Sequence, residues 1–211
     1  WSMIFIEDKL PPVIECPDDY TVSCANTSFR PPVPDFQDAC DPNATLTLIS
    51  DIFKDLGCNN PDGFIGVRTI TYVAKDKYGN TSKPCTFNVY FRSTDLSQLT
   101  WPANVTLSCR QEPDYPSWDL NSNYYPDVTE TGFPKISGFD LAHYVNGALL
   151  SDNYCHINVS FTDEQINTCG NTFKVIRSWT VLNWCDGDVR RHTQLIDIKD
   201  NEGPEVSCPI S

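Results

Sequence analysis

Twenty-eight Asp and Glu residues against fifteen Lys and Arg give this 211-residue chain a formal charge of −13. Several of the acids stand in groups. Asp8 precedes Pro11-Pro12, Asp200-Asn201-Glu202 precedes Pro204, and Asp38, Asp41 and Asp76 fall in turn-rich stretches. Clustered hard oxygens suit Ca2+, which takes about six to eight oxygen ligands. Such residues also cap turns through side-chain to backbone hydrogen bonds, so the calcium reading competes with plain turn chemistry. EF-hand spacing is absent. The three histidines, His143, His156 and His192, lack ligand-like spacing such as HExxH. There is no G-x-S-x-G, no glycine-rich phosphate loop, and no spacing that singles out a glycosidase-like carboxylate pair. The chain reads as non-catalytic, with calcium as its only candidate cofactor. Its charge argues against nucleic-acid or anionic-membrane partners, and no apolar run spans a membrane.

The elements that must position these residues repeat. Ile6-Glu7-Asp8 through Cys16-Pro17 aligns without a gap to Ile198-Lys199-Asp200 through Cys208-Pro209. A third copy, Trp101-Pro102-Ala103-Asn104-Val105-Thr106-Leu107-Ser108-Cys109, matches Cys16 to Cys24. Pro17 to Pro102 is 85 residues and Pro102 to Pro209 is 107, each the size of a small domain. The expected organisation is a last strand of a preceding module over 1–10, a module over 11–95, a second over 96–203 with an insertion at about 110–154, and a first strand of a following module over 204–211. The chain therefore reads as a piece of a longer repeat protein.

Within the first module, Tyr20 to Cys24 and Ala44 to Ile49 alternate polar and apolar. Phe64 to Ala74 and Cys85 to Phe91 do the same, with Phe87, Val89 and Phe91 in phase. Arg30-Pro31-Pro32-Val33-Pro34 cannot sit in a central strand, because proline has no N–H to donate. Asn59 to Gly63 and Lys77 to Asn80 are turns by composition. The second module keeps this order: Phe173 to Leu182 matches Phe64 to Val73, Arg177 stands in the place of Arg68, and Ile196 and Ile198 stand for Val89 and Phe91. Short strands with turn punctuation and almost no helical period predict an all-β fold of tandem sandwiches. The extra length holds Tyr115, Trp118, Tyr124 and Tyr125 among prolines, and Leu141 to Leu150 as a short helix or tucked loop. An insertion into one repeat usually forms an exposed loop. These four aromatics form a candidate glycan- or protein-binding surface, against the alternative of a loop folded onto its own sandwich. Trp179 and Trp184 are expected in the core, and the two arginines in cation–π or carboxylate contacts.

Pro11-Pro12-Val13-Ile14-Glu15-Cys16-Pro17, Asp38-Ala39-Cys40, Arg68-Thr69-Ile70-Thr71-Tyr72, Asp76 with Gly79-Asn80, and Cys85 before a strand resemble the hyalin-repeat (HYR) module. The second module, through Arg177-Ser178-Trp179 and Trp184-Cys185, is similar to tandem modules of giant secreted surface proteins. The resemblance implies a disulfide-stapled immunoglobulin-like sandwich.

Ten cysteines in this length indicate an oxidising compartment. Trp101 replaces Cys16 and His192 or a neighbour replaces Cys85, so both cysteines vanish together. That pairs Cys16 with Cys85, as the resemblance also implies. Cys40–Cys58, Cys155–Cys169 and Cys109–Cys185 are the remaining expected pairs. Cys24 and Cys208 stay unassigned, with Cys24 either free and buried or a sign of mispairing. Sequons at Asn26, Asn43, Asn80, Asn104 and Asn158 are candidate glycosylation sites in a eukaryotic source. The expected function is a structural and adhesive spacer of a long extracellular surface or filament protein, partnered by neighbouring modules. The alternative is a glycan- or protein-binding module that uses the aromatic insertion.

Overall fold

The computed structural model describes residues 3, 7–26, 28–108, 125–145, 148–150, 154–167 and 172–199. The chain divides into two compact units, Trp1–Thr94 and Asp95–Ser211, and is nearly all β with sandwich-like sheets.

The first unit contains β1 (Val13–Glu15), β2 (Tyr20–Ser23), β3 (Asp35–Gln37), β4 (Thr45–Asp55), β5 (Phe64–Lys75) and β6 (Cys85–Arg92). Strict alternation along β6 places Cys85, Phe87, Val89 and Phe91 on one buried face. Burying each large apolar side chain contributes roughly 1.5–3 kcal/mol, so this face makes β6 a central strand. The sheet order is β2-β6-β5-β4, with β2 parallel to β6, and β1 and β3 form a separate antiparallel pair. The β4 strand runs six residues past the alternating stretch that ends at Ile49. The register shifts between Leu48 and Ser50, and a bulge of this kind reverses which residues face inward. A strict period of two therefore ends one residue before the pairing resumes. Gly66 lies under the Phe53 ring, where a Cβ would come within 2.4 Å of ring carbon. Its lack of a side chain lets Phe53 reach edge-on to Phe91, 5.6 Å between centroids.

The second unit contains β7 (Leu99–Thr100), β8 (Val105–Ser108), the single-turn helix α1 (Val128–Thr131), β9 (Lys135–Ile136), β10 (Phe139–Asp140), β11 (His143–Val145), β12 (Ala148–Leu150), β13 (Ile157–Asn167), β14 (Phe173–Asn183) and β15 (Val189–Lys199). Its main sheet is β13-β14-β15-β8, with β8 parallel to β15. Val105 pairs Ile196 as Tyr20 pairs Val89. Asn104 accepts from the Leu195 N–H as Asp19 accepts from that of Asn88. These matches make Val89 equivalent to Ile196, Cys85 to His192 and Phe87 to Gln194.

The same register corrects the expected match of Arg68 with Arg177. Arg68 faces Val89, whereas Arg177 faces Gln194, the equivalent of Phe87. The two arginines share a face but stand two residues apart. A bulge between Phe64 and Gly66 contributes to the offset, which a gap-free alignment of the two strands misses.

The described part of the insertion is a covering layer and not an exposed loop. Val128, Ile136, Leu141 and Ala142 are buried. Residues expected as a helix or tucked loop form instead the β11–β12 hairpin. Trp179 is fully buried as expected, but Trp184 is 65% exposed. It lies one residue past β14, where strand alternation no longer directs side chains inward.

Candidate functional site

Three loops of the first unit converge on a group of carboxylates. Asp8 lies in the segment before β1, Asp38 directly follows β3 and Asp76 directly follows β5. One carboxylate oxygen from each lies within 4.8 Å of the other two. Two separate candidate groups in the sequence thus become one, because the loop after β5 holds the entry segment: Asn80 Nδ2 donates to the Asp8 carbonyl at 3.2 Å.

Each acid is also shaped by local hydrogen bonds. Asp38 Oδ1 accepts from the N–H groups of Cys40 and Asp41 at 2.8 and 2.7 Å. Asp76 Oδ1 accepts from Tyr78 and Asn80 N–H at 2.9 and 2.7 Å, and its Oδ2 accepts from Asn80 Nδ2 at 2.6 Å. Burial pushes the Asp76 pKa up, but the hydrogen bonds from Asn80, Gly79 and Tyr78 outweigh it and hold the carboxyl below its ordinary 3.8. Asp8 Oδ1 accepts from Leu10 N–H at 3.1 Å. Asp8 Oδ2 is buried with no hydrogen-bond partner among the described residues.

Asp41 does not join this group. It is 1% exposed, and its two oxygens accept from Asn43 and Lys77 N–H at 3.0 and 2.8 Å. It therefore ties two loops together through turn chemistry. Asp200, Asn201 and Glu202 lie outside the described residues.

The cysteines divide in the same way. Cys16 and Cys85 form a disulfide, with Cα atoms 5.3 Å apart. It joins the residue after β1 to the first residue of β6. At the equivalent place in the second unit Trp101 stacks on His192, with 5.1 Å between ring centroids and 15° between planes. The expected Cys40–Cys58 pair is not formed: Cys40 is free and exposed, its N–H held in the turn that Asp38 caps, while Cys58 is disulfide-bonded elsewhere. Cys24 is fully buried and disulfide-bonded, so it is not a free core thiol. Cys155 and Cys185 are disulfide-bonded. Cys109, Cys169 and Cys208 lie outside the described residues.

Of the aromatic candidates, Tyr115, Trp118 and Tyr124 lie outside the described residues. Tyr125 packs against the buried cluster Val175, Ile196 and Ile198, which makes it a core-covering residue and removes it from a ligand-facing surface. Among the sequons, Asn43, Asn104 and Asn158 are exposed and Asn26 is half-buried. Asn80 is also half-buried, and its amide nitrogen is engaged by Asp76 and Asp8.

The carboxylate and cation–π contacts expected of Arg177 are present, but its full burial and the role of Gln194 in a polar core of the second unit were not foreseen. Arg177, 1% exposed, donates to both oxygens of Asp163 at 2.8 and 2.7 Å, to Thr131 Oγ1 at 2.7 Å and to the Pro126 carbonyl. Its guanidinium lies 4.4 Å from the Phe161 ring centroid. Gln194, fully buried, accepts from Trp179 Nε1 at 3.1 Å and donates to the carbonyls of Ala103 and Thr131 at 2.7 and 2.8 Å. The available signal was an arginine and a glutamine in phase with Trp179 and Ile196 on otherwise apolar strand faces.

Parallel pairing of β2 with the last strand β6, over a two-layer, disulfide-stapled core, defines an immunoglobulin-like sandwich module. Residues 7–91, most of the first unit, match the HYR domain, a non-enzymatic adhesion-type family of extracellular character. No curated protein matches the chain. No helix among the described residues is long and apolar enough to cross a membrane.

Proposed function

We propose that the chain is a tension-resistant spacer, a pair of repeat units in a long extracellular surface protein that holds neighbouring modules apart and assembles through module-to-module contacts. The observation that carries this reading is the Cys16–Cys85 bridge. Tension entering from the N-terminal side passes from Cys16 through the sulfurs to Cys85 and on along β6. The 69-residue span between the two cysteines is bypassed, so unfolding cannot lengthen it. The remaining resistance comes from β6 itself. It pairs parallel with β2 and antiparallel with β5, and pulling it along its axis loads these hydrogen bonds together.

Single-molecule stretching of the whole chain tests the proposal. In the oxidised protein, unfolding of the first unit adds only the few residues outside the bridge. Reduction adds about 250 Å, at ~3.6 Å per residue over the freed span. Full-length extension without reductant would remove the mechanical reading.

A further inference from the structure

We propose that the second unit is an extensible link. A non-covalent clasp stands where the first unit has its covalent staple, and it releases under a tension that the first unit withstands. The inference rests on the tension reading and adds a division of labour between the two units.

The contrast lies at matched positions. In the first unit a disulfide joins Cys16 to Cys85. In the second, Trp101 stacks on His192 with 5.1 Å between ring centroids. Next to each of these pairs, side chains hold the entry segment to the last strand. In the first unit Asp19 accepts from the N–H and the Nδ2 of Asn88, at 2.7 and 3.0 Å. In the second, Asn104 Oδ1 accepts from Leu195 N–H at 2.8 Å, and Gln194 Nε2 donates to the Ala103 carbonyl at 2.7 Å. The polar part of the clasp is therefore common to both units, and only its covalent part differs. Neither Trp101–Ser108 nor Val189–Lys199 contains a cysteine, so no disulfide can join the entry segment of the second unit to β15.

Tension along the chain enters the second unit at Asp95 and leaves it beyond β15. The first obstacle is β7, which has only a two-residue pairing with β9. The load then falls on the clasp and on the parallel pairing of Val105–Ser108 with Ile196–Lys199. Parallel strands pulled from opposite ends slide past one another and load these contacts together. Ring contacts and hydrogen bonds are individually modest, and forced unfolding follows the rate at which they open. In the first unit the same load passes through sulfur and opens nothing between Cys16 and Cys85. Between Trp101 and His192 the cysteines run from Cys109 to Cys185. Any bridge among them leaves outside it eight residues from Trp101 to Cys109 and seven from Cys185 to His192. Release of the clasp therefore frees at least about 50 Å of chain, at ~3.6 Å per residue. Cys155 and Cys185 are disulfide-bonded, which holds part of the unit back from extension.

The test is single-molecule stretching of the oxidised whole chain, comparing the parent with Trp101→Cys/His192→Cys and with His192→Ala. The parent should show a step of at least about 50 Å. The double-cysteine variant, its new bridge verified by no gain in titratable thiol, should lack that step. His192→Ala removes the stack but not the backbone pairing, and should lower the force at which the step occurs. An oxidised parent without a step overturns the extensible link and leaves the tension reading standing. A step of parent length that survives in the bridged variant does the same. An unchanged force for His192→Ala overturns the stack as part of the clasp. A step of about 250 Å that survives in the bridged variant comes from the 69-residue span of the first unit, and overturns the tension reading together with the link.

Discussion

At matched positions in their central strands, the two sheets bury different chemistry. The first unit has Ile70 facing Phe87, and the second has Arg177 facing Gln194. All four side chains are 0–1% exposed. Even the acid is shared. Asp51 faces Ile70 and Asp163 faces Arg177, but Arg68 reaches Asp51 diagonally from two residues away, in a pair about a quarter exposed. The difference follows from what covers each sheet. The first unit carries a second layer of paired strands, β1 and β3, whose ladder groups satisfy one another. In the second unit the segment from Pro126 to Thr131 lies over the sheet and presents carbonyls that no strand pairs. Arg177 and Gln194 supply the donors. An irregular covering segment can be buried only when its backbone groups find partners, and here the opposing sheet provides them.

The largest expected effect tests this contrast. Asp163→Ala leaves the Arg177 charge buried without its partner and should cost about 3–5 kcal/mol. Asp51→Ala, at the matched position but with solvent access, should cost about 0.2–1 kcal/mol. Denaturant unfolding of both variants decides the matter, and equal losses would mean that burial does not separate the two pairs.

The staple gives the next largest effect. Cys16→Ser with Cys85→Ser should lose about 2–4 kcal/mol, as the unfolded chain regains freedom. Conversely, Trp101→Cys with His192→Cys should form a new disulfide in the second unit, seen as no gain in titratable thiol. Two additional free thiols would show that the aromatic stack and the disulfide are not positional equivalents.

The smallest effect is the pH dependence at Asp76. The folded carboxyl is held below its ordinary 3.8, after burial is outweighed by the hydrogen bonds from Asn80, Gly79 and Tyr78. Its contribution is therefore complete above that value and is lost as pH falls through the lower folded value. The stability difference between parent and Asp76→Asn should thus be constant near neutral pH and shift only below about pH 4. A shift that begins well above that range would assign the acid sensitivity to another group. Asn183, which cannot titrate, fills the matching turn of the second unit.

Much of the fold was legible from repetition and alternation. One copy of the Cys/Trp-Pro phrase falls early in each compact unit, and the phased Phe87, Val89 and Phe91 marked a strand with one buried face. Bulges hid the rest. One at Leu48 to Ser50 cut β4 short in a periodicity reading, and one at Phe64 to Gly66 helped put Arg68 and Arg177 in false register. Both insert a residue without altering composition. The candidate site was legible as residues but not as a group. Asp8 belongs with Asp38 and Asp76 because Asn80 holds the entry segment, whereas Asp41 spends both oxygens on backbone N–H groups.

The sequence alone determined the β class, the recurrence of one phrase along the chain and the joint loss of Cys16 and Cys85 from its second copy. These follow from local pattern and from comparing the chain with itself. Tertiary structure alone decided which acids converge, that Cys40 stands free while Cys58 is bonded, that Tyr125 covers a core, and that Arg177 and Gln194 belong inside. Those outcomes depend on which loops meet and which backbone groups need a partner, and both are set by three-dimensional packing between residues far apart in the chain.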